Sequence, residues 1–223
     1  MNLRQFAIPT IGLFLVSCST PVTNHLPPPA PIDRKNAVII VKKPAYIQHG
    51  TFVEYVNVHS SKGITDWFFH CYPKFLYNLD STTISDKTRV VITITKVTLT
   101  ISLPITIRVG QQADKKTLEH ENGHVDIVMQ TYEKAQDAAR EASEPVIGLR
   151  FEGEGADADE AVANALDKAA RQVSQNYRKK TVDVANELSR NFDEITKHGT
   201  AKISVPDALK KSYESLISKN PVK

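Results

Sequence analysis

Hydrophobic positions along this chain follow a two-residue period in the first half and a helical period in the second. Ala37-Val38-Ile39-Ile40-Val41 and Phe52-Val53-Glu54-Tyr55-Val56-Asn57-Val58 are short runs rich in β-branched and aromatic residues, the composition of strands. Between Thr88 and Val109 the alternation is strict. Val90, Ile92 and Ile94 hold even positions, then Val97, Leu99, Ile101, Leu103, Ile105, Ile107 and Val109 hold odd ones. Strand side chains alternate faces, so this change of phase requires a bulge, bend or tight turn near Thr95-Lys96. Pro104 has no N–H to give a ladder, which predicts a sheet edge or a bulge there.

From Asp114 to Ser143 the period is helical, with Asp114 as N-cap and Leu118, Val125, Met129 and Tyr132 as the apolar stripe. A strand-like piece, Val146 to Glu152, and the turn-rich Gly153-Glu154-Gly155 follow. A second helix starts near Asp157, which has capping-box spacing to Glu160. It keeps one face through Val162, Leu166, Ala169, Val173, Tyr177, Val184, Leu188, Phe192 and Ile195 down to His198, with Gly199 as its stop. Ile203 to Leu216 predicts a last short helix. The expected fold is α+β in a single domain over 37–223: a β-rich part over 37–110 packed on a helical part over 111–223.

The first 36 residues read differently. Arg4 precedes an apolar run from Phe6 to Val16, interrupted by Pro9 and too short for a bilayer core of roughly 30 Å. It fits a secretory signal peptide over 1–17. Leu15-Val16-Ser17-Cys18 resembles a bacterial lipobox, which implies Cys18 as the lipidated first residue of the mature chain. Ser19 in place of Asp resembles the outer-membrane sorting pattern. Five of the 12 prolines fall between Pro21 and Pro31, so 18–36 reads as the lipidated cysteine and an extended polyproline tether. The expectation is a lipid-anchored protein of the cell envelope, in the outer membrane and facing the periplasm.

Composition adds exclusions. The chain has 28 Lys and Arg against 25 Asp and Glu, a net charge of +3, with no basic cluster of the kind that reads nucleic acid. With two cysteines, one of them Cys18, Cys71 is left as the single thiol and no disulfide framework is expected.

His120-Glu121-Asn122-Gly123-His124 is an H-E-x-x-H motif inside the first long helix. Residues four apart lie one turn above each other, so both imidazoles can share a zinc ion. On a helical wheel with Leu118 at zero, His120 and His124 fall near 200° and 240° and Glu121 near 300°. Glu121 thus lies between the histidines and the buried stripe, able to activate a metal-bound water without being a ligand. Gly123, costly mid-helix, leaves room for a close approach beside the histidine face. The third ligand must come from elsewhere. Asp126 and Glu133 point away from the pair. The metzincin continuation is missing, with Ile127 where its glycine would stand. Glu144 is a candidate, although an unbroken helix to Ser143 would carry it roughly 30 Å away. His198 is the stronger one: it ends the second long helix, where the carbonyl end favours a cation and Gly199 frees the backbone to turn. A break near Arg178-Lys179-Lys180, or the intervening strand, must absorb the unequal helix lengths.

The two segments His120 to His124 with Val125-Asp126-Ile127, and Phe192-Asp193-x-x-Thr196-x-His198-Gly199, resemble the bacterial family of secreted zinc-dependent proteases catalogued as domain of unknown function 922. The alternating strand ending in Leu103-Pro104 is similar too. The resemblance spans most of residues 50–200 and implies zinc, a protease-like (zincin-like) fold and His198 as a functional residue. Phe192 stands where that pattern has Tyr.

Asp193 and Thr196 are candidates to orient His198 by hydrogen bonds, or else to cap the helix end. Trp67-Phe68-Phe69-His70-Cys71-Tyr72 reads as core, with His70 and Cys71 as an alternative pair of soft ligands. His49 and His59 read as surface residues, and His25 belongs to the tether. The function expected is a membrane-anchored zinc metallopeptidase acting on peptide or protein substrates, with His120, His124 and His198 as ligands and Glu121 as general base. The strand with Pro104 would offer an edge for substrate. The alternative is a non-catalytic envelope lipoprotein with a structural metal or a binding role.

Overall fold

A computed structural model describes residues 33–34, 36–52, 63–84, 87–111 and 113–219, a mixed α+β arrangement. All of them belong to one compact unit that starts at Ile32. The expected signal peptide, Cys18, the tether, His25, His59 and most of the run Phe52 to Val58 lie outside the described residues.

The alternating segment builds the centre. It forms two strands, β5 (Lys87–Ser102) and β6 (Pro104–Gly110), in different sheets. Val90, Ile92, Ile94, Val97, Leu99, Ile101, Leu103, Ile105 and Ile107 are all at most 1% exposed. The phase change is a β-bulge: opposite Leu76 and Tyr77 of β4 (His70–Ile84) stand Lys96 and Ile94, so Thr95 is the extra residue. Without it, half of this apolar set would face solvent. One edge of β5 carries antiparallel β4. The other is shared by parallel β1 (Val38–Lys42) and antiparallel β7 (Arg150–Gly155).

In the second sheet β6 is central, between parallel β2 (Tyr46–Phe52) and antiparallel β3 (Gly63–Trp67). Pro104 is therefore not at a sheet edge. It is tolerated as the first residue of its strand, where a missing donor costs least. The strand expected over Val146 to Glu152 begins later, at Arg150, because Glu144–Val146 forms a 3₁₀ turn.

Both long helices are interrupted. The first divides at Lys134 into α1 (Lys115–Glu133) and α2 (Ala135–Ser143). The second divides at Thr181 into α3 (Ala158–Lys180) and α4 (Val182–Thr196), beside the predicted Arg178-Lys179-Lys180. Thr181 is fully buried and its hydroxyl donates to the Tyr177 carbonyl. Asp157 caps α3 through the Glu160 N–H, as its spacing predicts. The buried face of α3 is Ala161, Ala165, Ala169, Val173 and Tyr177, whereas Val162 and Leu166 are partly buried. Small residues let the helix lie close on β7: a Cβ at Gly153 would stand 1.9 Å from the Ala161 carbonyl oxygen. The last helix, α5 (Val205–Lys219), joins α1 and α4 around Ile127, Leu188, Phe192, Ala208 and Leu209.

Candidate metal centre

Asp114 begins α1 as an N-cap, its carboxylate accepting from the Thr117 N–H and hydroxyl at 2.7 and 2.8 Å. The helix is covered on two sides. Val125, Val128 and Tyr132 pack on the sheet core, and Ile127 packs on α4 and α5. The apolar stripe is correspondingly displaced from the predicted one: Leu118 is among the exposed apolar residues and Met129 is only partly buried. Double coverage also buries the motif, leaving His120, Glu121 and His124 8%, 5% and 8% exposed.

The third group at the imidazoles comes from α4. Asp193 Oδ1 lies 3.1 Å from His120 Nε2 and 3.1 Å from His124 Nε2. One donor atom of each of the three residues falls within 4.8 Å of the others. The opposite edges of both rings are held: His124 Nδ1 is 2.5 Å from Ser189 Oγ, and His120 Nδ1 is 3.4 Å from Thr196 Oγ1. Thr196 donates its own proton to the Phe192 carbonyl at 2.7 Å, so it receives from His120. In the contacts to Asp193 each Nε2 is a donor; a metal ion would take the place of that proton, with the Nδ1 proton still held by the hydroxyl.

These donors fit a divalent ion. Two imidazoles and a carboxylate are a zinc donor set, and bonds of about 2.0–2.1 Å to a tetrahedral ion separate its ligands by roughly 3.3 Å. Burial by itself would raise the Asp193 carboxyl, but hydrogen bonds and charge from His120 and His124 outweigh it and hold the group well below the usual carboxylate range.

Glu121 points elsewhere, to β3. Its Oε2 accepts from the Thr65 hydroxyl at 2.7 Å, and that hydroxyl lies 3.2 Å from its carbonyl oxygen. Gly63 leaves the space for it: a Cβ there would come within 2.7 Å of Glu121 Cγ and Oε1. Trp67, the last residue of β3, stacks on His124 with centroids 6.2 Å apart. Behind the pair Phe192 is fully buried, stacked on His120 at 5.1 Å and edge-on to His124 at 5.2 Å. Gly123 makes room for that ring, since a Cβ would lie 2.4 Å from Phe192 Cζ. Phe192 is thus a buried wall of the site.

The turn after α4 closes the centre. Lys197, His198 and Gly199 are successive left-handed residues with φ of 49°, 52° and 78°. Such a conformation costs a non-glycine residue roughly 1–2 kcal/mol. The turn is held by the Ala201 N–H donating to the Thr196 carbonyl at 2.8 Å, and by Lys116 Nζ donating to the Thr200 and Ala201 carbonyls. Gly199 lies against His120, where a Cβ would meet Cγ at 3.2 Å.

Of the residues singled out in the sequence, the structure brings His120, His124, Asp193 and Thr196 together with Glu121 beside them. His198 comes close but takes a different place from the third ligand expected of it. Its side chain is 81% exposed, with Nδ1 3.7 Å from Asp193 Oδ1, and the donor next to the pair is Asp193. α4 ends at Thr196, two residues earlier than predicted, so the backbone turns before His198 can point inward. Glu144 sits in the 3₁₀ turn beyond α2, outside the donor group. His70 is stacked between Phe68 and Tyr72, also outside it. Cys71 does not present a thiolate, because burial pushes its thiol up to about 11 despite a hydrogen bond from Ser174. Phe68 and Tyr72 are exposed, so the aromatic run is not all core.

Sequence reasoning passed over Ser189, Gly63, Thr65 and Trp67. Ser189 had a signal: with Asp193 and Thr196 it forms a polar row at helical spacing on α4, a face that should otherwise be apolar. The residues of β3 had none, because they reach the site only through sheet packing. Comparisons with protein-family models, with curated proteins and with solved structures find no match to this chain.

Proposed function

We propose that this chain is a zinc metallopeptidase, with His120, His124 and Asp193 as protein ligands and Glu121 as general base. The observation that carries the reading is the convergence of three donors on one point, with both imidazoles oriented by hydroxyls from α4. The H-E-x-x-H spacing of His120, Glu121 and His124 on α1, with α1 packed beside β3 through Glu121 and Thr65, supports it. A zinc ion bound there supplies Lewis-acid activation of a water and of the scissile carbonyl. Asp193 offsets part of the cationic charge, and Ser189 and Thr196 keep each Nε2 facing inward. Glu121 stands outside the donor group, takes the proton from the attacking water and passes it to the leaving amine. Thr65 holds one oxygen of that carboxylate, which fixes its orientation. His198 stands at the exposed rim, its Nδ1 3.7 Å from Asp193 Oδ1.

On this reading the protein is tethered through a lipidated Cys18, in the outer membrane and facing the periplasm, as its leader and proline-rich segment suggest. No helix among the described residues is long and apolar enough to cross a membrane.

The test measures zinc and hydrolysis together on the purified chain. His120→Ala and Asp193→Ala should lose the zinc, whereas His198→Ala should retain it. Glu121→Gln should keep zinc and fold while peptide hydrolysis falls by about 10²–10⁴-fold. A second reading draws on the burial of all three motif residues: the metal would brace α1 against α4 without catalysis. Zinc-loaded wild-type protein that cleaves nothing in a diverse peptide library would favour it.

A further inference from the structure

One face of the larger sheet has no element packed on it among the described residues. Helices α2 and α3 cover the side of Val97, Leu99 and Ile101. The opposite side between the bulge and the end of β5 is open, and the register defines its membership. Val41, Thr100 and Tyr72 form one row across three strands, and Ile39, Thr98 and Lys74 form the next. Lys96 and Leu76 complete the face beside the bulge.

This surface combines two properties. It is apolar where ordinary sheet faces in water are polar: Tyr72 and Leu76 are 55% and 62% exposed, and Ile39 and Val41 over 40%. Phe68, 62% exposed, extends it through a ring stack with His70 and Tyr72, and the Tyr72 hydroxyl lies 3.0 Å from His70 Nδ1. It is also cationic. Lys74 and Lys96 lie on it, and no carboxylate does before the bulge. Beyond the bulge the same face changes character, with Arg150 against Asp80 and Arg89 against Glu154.

We infer that this face docks on an anionic lipid surface. Aromatic rings and aliphatic side chains enter the interface while the lysines meet headgroup charge. Charge decides against a second copy of the chain, because two such faces would bring lysines onto lysines. The inference does not depend on the metal centre or on acylation of Cys18.

The test uses the full chain carrying Cys18→Ser throughout, so that no acyl chain contributes. Binding is measured to vesicles of phosphatidylcholine alone and with about one third phosphatidylglycerol, at low and high salt. The protein should prefer the anionic vesicles and release them in salt. Lys74→Glu with Lys96→Glu should weaken binding about thirtyfold or more, which is roughly 1 kcal/mol for each lysine removed. Phe68→Ser, Tyr72→Ser and Leu76→Ser together should weaken it similarly, with the fold checked by circular dichroism. Equal binding by wild type and all variants would overturn the inference and move the contact to the Phe6 to Val16 run. So would absence of any vesicle binding, a dimer that the same substitutions dissociate, or preference for polyglutamate over vesicles.

Discussion

At Asp193 burial pushes the carboxyl up while the hydrogen bonds and charge of His120 and His124 pull it down, and the histidines win. A carboxyl whose folded value lies below its unfolded one stabilises the fold at pH above the unfolded value, near 3.9, and loses that contribution as pH falls through the folded value. In the presence of a chelator, Asp193→Asn should therefore be less stable than wild type at pH 6. The gap should narrow steadily below about pH 4, as urea midpoints at several pH values would record. A constant gap would mean that the residue acts through packing alone. The histidine pair was legible in the sequence because both members belong to one helix, where a spacing of four guarantees a shared side. Asp193 was legible as a member of the second motif, but its rank over His198 was not. That rank depends on where α4 stops, and helix ends are set by local turn geometry that periodicity does not report.

Among the elements, α1 shows why a glycine can be worth more than its propensity. Gly→Ala inside a helix ordinarily stabilises by roughly 1 kcal/mol. In Gly123→Ala the new methyl meets the Phe192 ring, so the sign should reverse, with a cost of about 1–3 kcal/mol from overpacking. Combining it with Phe192→Leu should recover part of the loss, a coupling that a double-mutant cycle of urea unfolding would measure. The irregularity in β5 was legible, since a shift from even to odd apolar positions requires a bulge, bend or tight turn near Thr95-Lys96. That it is a bulge was decided by the register with β4. Pro104 misled for a definite reason: a missing donor excludes the interior of a central strand but not its first residue. The break at Thr181 was half legible, since the unequal helix lengths require an interruption near Arg178-Lys179-Lys180 or in the intervening strand. The break at Lys134 left no trace, because Lys is not a helix breaker.

Across the whole molecule, the donors join α1, which packs on the sheet core, to α4, which packs with α5 in the smaller hydrophobic cluster. Metal bound only by the folded state should stabilise by about 2.7 kcal/mol at a hundredfold excess over its dissociation constant. For a domain of this size that corresponds to a rise in melting temperature of roughly 5–10 °C. Thermal scans with zinc and with chelator should show that rise in wild type, its loss in His124→Ala, and its retention in Glu121→Gln. The same melting point with and without zinc in wild type would argue against the site.

The sequence by itself determined the α+β class, the change of phase near Thr95-Lys96, the caps at Asp114 and Asp157, and the pairing of His120 with His124, because each is a consequence of local period or short spacing. Only the tertiary structure decided that Asp193 stands beside that pair, that Thr65 and Gly63 receive Glu121, and that one sheet face stays open. Those depend on how distant segments pack, and packing energy is a property of surfaces in contact rather than of any stretch of chain read alone.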